Sequence, residues 1–437
     1  MGGVAGAGGT SYDVAVVGGG PGGLTAAYLL AKSGFKVIVL ERGREPGAKS
    51  LFGGKVYAAP LREVWPRLDK EAPVHRWVGV ERFSVSWQGR VVTLEYRLGR
   101  RVAFTTHLPE LVKWMARKAE ESGALVVDEV VVDEILVKDG KVVGVRSGSD
   151  EVHAKVVVDA EGVNRLLLEK LGLAGPPDPR RLALGVKEVL RMKPDAIEAS
   201  FGLGKGEGLA WLVLGDVTQG LPGGGFIYTM KDTVSVGIVL RVANAAEAAE
   251  KGLLREHVYK LVESFRLHPY FSRLWGDADV AEYGARLAIE GGLGYMPRRL
   301  VADGLVVVGD AAGLLLNTGY TIRGVDFAVA SGRMAAEAIA RALELGDTSA
   351  ETLRDYEARL KSSFVYKELV RHKSIEDVMS DPWFFSKLPA ILVDALSQMF
   401  EADYEEPTPL EAILEAGRKH KAPLLLLLAK MLKLAEV

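Results

Sequence analysis

Three glycines and one carboxylate carry the clearest chemical signal in the chain. Gly18, Gly20 and Gly23 fall in the pattern G-x-G-x-x-G within "YDVAVVGGGPGGLTAAYLLAKSGFKVIVLERG", residues 12–43. Gly18 permits a tight turn, Gly20 lets a pyrophosphate approach the backbone, and Gly23 lets a helix pack closely on a strand. Glu41 follows about 20 residues on, where a carboxylate accepts hydrogen bonds from ribose hydroxyls. The elements that must position these groups are legible around them. Residues 13–17 read as a short buried parallel strand, 22–32 have apolar helical spacing that stops at Gly34, and 36–40 read as a neighbouring strand. A merely structural glycine turn needs no such unit. The helix N-terminus then faces the phosphates with free N–H groups and the positive end of its dipole. The motif predicts dinucleotide binding, but it does not separate FAD from NAD.

A second stretch makes that separation. "VVVGDAAGLLLNTGYTIRGVDFAVASG", residues 306–332, has no His, Cys or Lys. Residues 305–308 read as a buried strand ending in Gly309 and Asp310, and helical spacing resumes from Phe327. An Asp at a strand's C-terminal edge can bond the ribityl hydroxyls of a flavin. Gly324 opens a helix whose N–H groups can face the flavin N1 and O2 region and stabilise negative charge there. A capping Asp in a strand–helix turn is the competing reading; beside the first motif, the flavin reading prevails. A redox cofactor also explains why so shaped a stretch lacks acid–base side chains.

Composition narrows the field further. The chain has 437 residues, nearly half of them hydrophobic, so two or three domains are expected. A formal net charge of -2, with no basic tract interleaved with aromatics, gives no reason to expect nucleic acid. Cysteine is absent. That removes disulfides, thiolate catalysis and Cys-ligated zinc or iron–sulfur clusters, and no metal site is expected. Asn and Gln are scarce, a composition expected of a thermophilic source. "MGGVAGAGGTS" lacks the basic start and apolar core of a signal peptide and reads as a mobile arm. No stretch reaches the roughly 18 apolar residues of a spanning helix. The expected location is cytoplasmic, peripheral to the inner face of the cell membrane.

The fold class expected is α/β: a Rossmann-like FAD-binding domain of the glutathione-reductase type, an inserted antiparallel-sheet substrate domain and a C-terminal helical region. The first comprises 11–60, 100–170 and 296–345, the second 61–99 and 171–295, and the third 346–437. A helix is predicted in 109–124, then strands with an Asp-Gly turn at Asp139 and Gly140. From about 181 to 243 the texture changes to alternating strands broken by glycines, typical of a substrate domain.

Five segments together resemble a known group, the geranylgeranyl-reductase and FixC flavoproteins, and most closely the FixC (EtfC) family. They are the N-terminal fingerprint, "GAKSLFGGKVYA" (47–58), "GLPGGGFIYTMKDTVSVGIV" (220–239), "GDAAGLLLNTGYTIRGVDFAVASG" (309–332) and "DPWFFSKLPAIL" (381–392). The resemblance spans nearly the whole chain. The run Asn317-Thr-Gly-Tyr-Thr-Ile-Arg-Gly324 is the most specific part. It implies that Gly18, Gly20, Gly23 and Glu41 hold the adenosine diphosphate half of FAD, with Arg42 beside the adenine. It places Gly53, Gly54 and Lys55 along the flavin, Asp310 on the ribityl chain, and the backbone of Gly324, Val325 and Asp326 at the pyrimidine edge. It implies an oxidoreductase taking electrons from an electron-transfer flavoprotein (ETF) pair, EtfA/EtfB or FixA/FixB, in an electron-bifurcating complex. The electrons pass towards a quinone, menaquinone, at a membrane surface. Bifurcation itself would belong to the ETF-like partner. Larger ETF–quinone oxidoreductases carry a Cys-ligated cluster, which this chain cannot. A separate ferredoxin-like subunit, FixX or EtfX, is therefore expected. Where many relatives read Phe-Asp-x-Trp, this chain has Phe104-Thr-Thr-His107, so contacts from that turn are not carried over.

A quinone needs an apolar slot with one or two polar anchors. Gly224 and Gly225 allow close approach and Phe226 and Tyr228 offer flat faces, although for any single aromatic ordinary sheet packing is the favoured reading. His107, His268 and Arg323 are the polar groups to test as quinone or proton-relay partners. The C-terminal "KHKAPLLLLLAKMLKLAEV" reads as a short cationic apolar helix suited to a membrane interface or a core contact. Two alternatives remain open. A prenyl-lipid reductase has the same fold, but its usual Tyr-x-Trp-x-Phe-Pro pattern is missing. An NAD(P)H-dependent flavin hydroxylase would carry a proline-containing loop near Asp310.

Overall fold

The computed structural model describes residues 11–48 and 53–435. Residues 1–10 of the N-terminal arm expected over 1–11, residues 49–52 of the segment 47–58, and the last two residues of the C-terminal segment lie outside them.

Strands Tyr12–Val17 and Val37–Leu40 are parallel neighbours, Val14 opposite Val37, at the centre of an eight-stranded sheet. Asp150–Asp159 flanks Tyr12–Val17 on its other side, followed by Leu305–Val307, both parallel. Strand alternation puts Val14 and Val16 on one face and Ala15 and Val17 on the other. The first face packs on helices Pro21–Lys32, Leu108–Glu121 and Val325–Glu344, through Leu24, Met115 and Phe327. The second packs on a hairpin, Glu134–Lys138 and Lys141–Ser147, through Ile135, Val142 and Val145. Both faces are covered, which is why these strands read as unbroken apolar runs. The hairpin turns at Asp139 (φ 52°) and Gly140 (φ 80°), the paired left-handed residues of a type I′ turn. Helices Pro21–Lys32 and Val325–Glu344 touch backbone to backbone. A methyl on Gly332 would stand 2.2 Å from the Gly22 carbonyl oxygen.

The second sheet has nine strands, eight of them running from Val280–Ile289 through Leu182–Arg191, Thr233–Arg241, Gly223–Thr229, Glu207–Gly215, Arg76–Trp87 and Ala103–His107 to Gly53–Tyr57, with Arg90–Arg97 paired to Arg76–Trp87 off this path. One pair corrects the expectation of an antiparallel sheet: Arg76–Trp87 and Glu207–Gly215 are parallel. The chain between them makes a long excursion through the first sheet, the kind of crossover parallel neighbours require. One face carries Val186, Val236, Ile227 and Trp211 against helices Pro194–Phe201 and Val258–Arg266. The other presents Phe226 and Tyr228 to the interior.

C-terminal helices follow Val325–Glu344. The longest, Trp383–Phe400, packs with Pro409–Lys419 and Leu424–Ala435 around Ile391, Ala395, Ala416 and Leu427. Among the described residues no helix is long and apolar enough to cross a membrane.

Candidate functional site

A cleft of about 430 Å³ lies where the two sheets meet. Its first corner is the glycine turn. Gly18 has φ +99°, and a methyl there would stand 2.4 Å from the Ala160 carbonyl oxygen. Gly23 is closed in the same way, 2.4 Å from the Gly18 oxygen, whereas a methyl on Gly20 would meet nothing within 4 Å. The first turn of Pro21–Lys32 starts with proline, whose missing N–H is not needed there, and its free N–H groups lie at the cleft wall. Glu41 accepts from Gly19 N–H through Oε2 (2.8 Å) and from Gly43 N–H through Oε1 (2.6 Å). The loop thus orients the carboxylate while each oxygen keeps a lone pair for a hydroxyl.

The opposite corner is built by Gly309, Asp310 and Gly324. Gly309 N–H donates to Ser331 Oγ (3.0 Å), which donates to the Ala328 carbonyl (2.8 Å), tying the turn to the long helix. Desolvation pushes the Asp310 carboxyl up, against the pull of Arg286 and Arg165. Gly324 is the N-cap of Val325–Glu344, and Gly324, Val325 and Asp326 all border the cleft. The Asp326 side chain is taken by Arg323, whose Nε (2.8 Å) and Nη2 (2.6 Å) both donate to Oδ2. Burial pushes that carboxyl up and Arg323 draws it back.

The second sheet forms the remaining wall. Phe226 and Tyr228 lie nearly parallel, centroids 5.4 Å apart, both facing the cleft. Beside them Lys55 pairs with Glu81 (2.9 Å) and lies over the Tyr57 ring. Burial opposes the Lys55 charge, but Tyr57, Glu81 and Tyr228 outweigh it and hold the ammonium up at about 12. Burial pushes the Tyr228 hydroxyl to about 12. Lys187 also borders the cleft and pairs with Glu282 (3.3 Å), yet desolvation leaves its pKa lowered.

Of the residues expected to hold a cofactor, Gly18, Gly20, Glu41, Arg42, Gly53, Lys55, Gly309, Asp310, Gly324, Val325 and Asp326 come together around this cleft. Gly23 sits one layer behind, packing helix on strand, and Gly54 pairs with Thr106 in the strand beside Gly53. Several quinone-pocket expectations are corrected. Gly225 faces away, since strand alternation turns it towards Phe265, and a methyl there would stand 2.7 Å from that ring. Gly224 packs on Leu214 and Val213. His107 lies behind Gly53, its Nε2 on Thr233 Oγ1 (3.0 Å) and its ring edge-on to His75. His268 packs on Phe271 and accepts from Tyr270 N–H, in the outer core. Arg323 is committed to Asp326 and to the faces of Tyr57 and Phe327. Sequence reading missed Arg286, Lys187, Glu290 and Arg165. A charge inside an apolar strand, as in "LALGVKEVL", was the available signal for Lys187.

The residues fit FAD. The glycine cradle leaves open space only at Gly20, a carboxylate stands at the end of the second strand, and a second helix N-terminus faces the same cleft. Among the described residues no group of acids, His or Cys is arranged to hold a metal ion.

Comparison with known proteins agrees. Residues 101–338 match the FAD dependent oxidoreductase family, and 16–53 match an NAD(P)-binding Rossmann-like domain. The chain is 36% identical over 413 residues to a protein of Escherichia coli K12 named probable electron transfer flavoprotein-quinone oxidoreductase YdiS, covering 93% of this chain and 95% of that one. It is 34% identical over 414 residues to Protein FixC of the same organism, with the same coverage. FixC of Bradyrhizobium diazoefficiens is 36% identical over 403 residues, 90% of this chain and 91% of that one. In fold, the chain resembles a geranylgeranyl bacteriochlorophyll reductase-like protein of Thermoplasma acidophilum, with a TM-score of 0.69 at 21% identity over 98% of this chain and 100% of that one.

Proposed function

The chain belongs to the FixC and ETF–quinone oxidoreductase family of FAD-dependent oxidoreductases, and from that premise we propose that it passes electrons from an ETF-type flavoprotein to a quinone, menaquinone, at a membrane surface. The donor would be an EtfA/EtfB or FixA/FixB pair of a bifurcating complex. With no cysteine in this chain, the iron–sulfur centres would sit on a ferredoxin-like FixX or EtfX subunit. The carrying observation is the wall beyond the flavin corner: the Phe226–Tyr228 pair and Val239 line the cleft with apolar surface, and Lys55 and Lys187 line the same cleft. A planar ring bearing carbonyl oxygens matches that combination.

FAD, when bound, supplies one- and two-electron chemistry. The chain's own residues then have defined work. Gly20 and the helix N-terminus bind phosphates, and Glu41 takes ribose hydroxyls. Asp310 takes the ribityl chain, and the N–H groups at Gly324 and Val325 favour negative charge at the pyrimidine edge. Lys55, held charged by Glu81, orients an electron-rich oxygen of the acceptor. The C-terminal helix Leu424–Ala435 exposes Leu425 (81%) and Leu432 (67%), with Leu424 and Leu428 about half exposed, a face suited to an interface from which quinone is drawn.

The test is an anaerobic visible spectrum of the FAD-loaded chain. Nicotinamides should leave the flavin oxidised, and after dithionite reduction a menaquinone analogue should restore it rapidly. Rapid bleaching by NADPH with no response to quinone would refute this reading in favour of a prenyl reductase or hydroxylase.

A further inference from the structure

Strand Gly53–Tyr57 lies across the face of the second sheet, and that crossing brings Lys55 to the aromatic wall. At the start of the strand, a methyl on Gly53 would stand 2.9 Å from Ser235 Oγ. Ser235, Tyr228, Ala210 and Glu81 pair in one row across four strands, so they share a face. Two residues after Gly53, the Lys55 ammonium donates to Glu81 Oε1 at 2.9 Å, at the other end of that row. At about 4.8 Å per strand the row is roughly 14 Å long, and Tyr228 stands within it. Lys55 and Tyr228 therefore stand together in the cleft, beside Phe226.

The two partners differ in exposure. The Lys55 side chain is 7% exposed and borders the cleft, whereas the Glu81 side chain is 30% exposed and reaches solvent. The bond between them is short enough to pass a proton. The ion pair thus links bulk water to the cleft through a single hydrogen bond.

We propose that Lys55 is the proton donor to the quinone and that Glu81 recharges it from solvent, an assignment that rests on the electron-transfer reading above. Reducing a quinone to a hydroquinone consumes two electrons and two protons. The electrons come from the ETF-type donor by way of FAD. One N–H bond of Lys55 breaks, and its proton forms an O–H bond at the quinone oxygen that the ammonium faces. The hydroquinone anion so formed takes its second proton from water as it leaves the cleft. The neutral amine takes a solvent proton handed on by Glu81, which ends as the carboxylate it began. The order of events follows from the strength of the pair. An ammonium held up at about 12 keeps its proton beside an oxidised quinone and yields it to the far more basic oxygen of a doubly reduced one. Tyr57 and Tyr228 are the other titratable groups facing the ammonium.

The test uses the FAD-loaded full chain, reduced with dithionite and reoxidised in stopped flow by two acceptors. Menadione takes electrons and protons, whereas ferrocenium takes electrons alone. Lys55→Arg keeps a cation to orient the acceptor and to pair with Glu81, but a guanidinium does not give up its proton in proteins. Its menadione rate divided by its ferrocenium rate should fall about a hundredfold below the wild-type ratio. Glu81→Gln keeps an acceptor for Lys55 and serves if Lys55→Arg does not fold. Followed with a pH dye, proton uptake during menadione reoxidation should keep pace with the flavin in wild type and lag behind it in Glu81→Gln. A wild-type rate ratio in Lys55→Arg, or uptake without a lag in Glu81→Gln, overturns the proton route alone. A wild type that ferrocenium reoxidises and menadione does not overturns the electron-transfer reading itself.

Discussion

Gly20→Ala and Gly23→Ala differ by one methyl each, three residues apart, and should fail in opposite ways. At Gly23 the added carbon would stand 2.4 Å from the Gly18 carbonyl oxygen and 2.9 Å from Val16 Cγ1. Alanine's better helix propensity returns at most about 1 kcal/mol. Main-chain oxygen cannot swing aside, so the helix must shift, and overpacking of this kind costs roughly 1–3 kcal/mol. Gly20 has φ -85° and ψ 177°, open to any L-residue, and its methyl would meet no atom within 4 Å. The cofactor-free chain should therefore keep its stability to within about 0.5 kcal/mol. The same methyl stands where a phosphate must approach. Losing one charge-assisted hydrogen bond, about 1.5–3 kcal/mol, weakens FAD binding roughly tenfold to a hundredfold. At FAD a hundredfold above the wild-type Kd, cofactor stabilises wild type by about 2.7 kcal/mol, and a variant weakened a hundredfold by only about 0.4 kcal/mol. Urea unfolding with and without FAD, plus flavin-fluorescence titration, reads both quantities. If Gly20→Ala destabilises the cofactor-free chain as much as Gly23→Ala, or binds FAD like wild type, the phosphate is not held at this turn.

Three further outcomes are expected. Desolvation raises the folded-state pKa of Asp310, so its contribution to stability is full below the ordinary carboxylate value and is lost as pH rises through the raised one. Without FAD, Asp310→Asn should then melt higher than wild type at neutral pH, with the gap closing in acid, while binding FAD more weakly; parallel melting curves would contradict this. Burial raises the Asp326 carboxyl despite Arg323. Asp326→Asn, which keeps an acceptor for the guanidinium, should therefore cost little stability at neutral pH and compare worst with wild type in acid, and a large loss in urea unfolding at neutral pH would contradict this. In Gly53→Ala the methyl would come within 2.8 Å of His107 Nδ1 and 2.9 Å of Ser235 Oγ, so the His107 ring must move and its NMR titration should change, which an unchanged titration would rule out.

The dinucleotide corner was readable in advance because every part of it is local. A strand, a G-x-G-x-x-G turn and a helix lie within about 30 residues, and each glycine answers a steric demand set by its near neighbours. The Asp139-Gly140 turn was legible for the same reason: two adjacent residues must both take positive φ. Asp310 and Gly324 followed from strand-to-helix junctions visible as changes of periodicity. The second wall was not legible in that way. Gly224 and Gly225 looked like places for a ligand to approach, but alternation turns Gly225 away from the cleft onto Phe265, and Gly224, on the same face as Phe226, is covered by Leu214.

Sequence alone thus determined the cofactor fold, since hydrophobic period, turn stereochemistry and helix start are near-neighbour properties. Tertiary structure decided which charges share the cleft. Lys187, Arg286 and Glu290 line the same cleft as Asp310 and Lys55 only because strands 182–191 and 280–289 pair at the far edge of the second sheet, and that sheet closes over the first. The parallel pairing of 76–87 with 207–215, across a chain excursion through the other domain, is likewise set by burial on both faces and by no local signal. Long-range pairing is selected by total packing, which no short window of residues encodes.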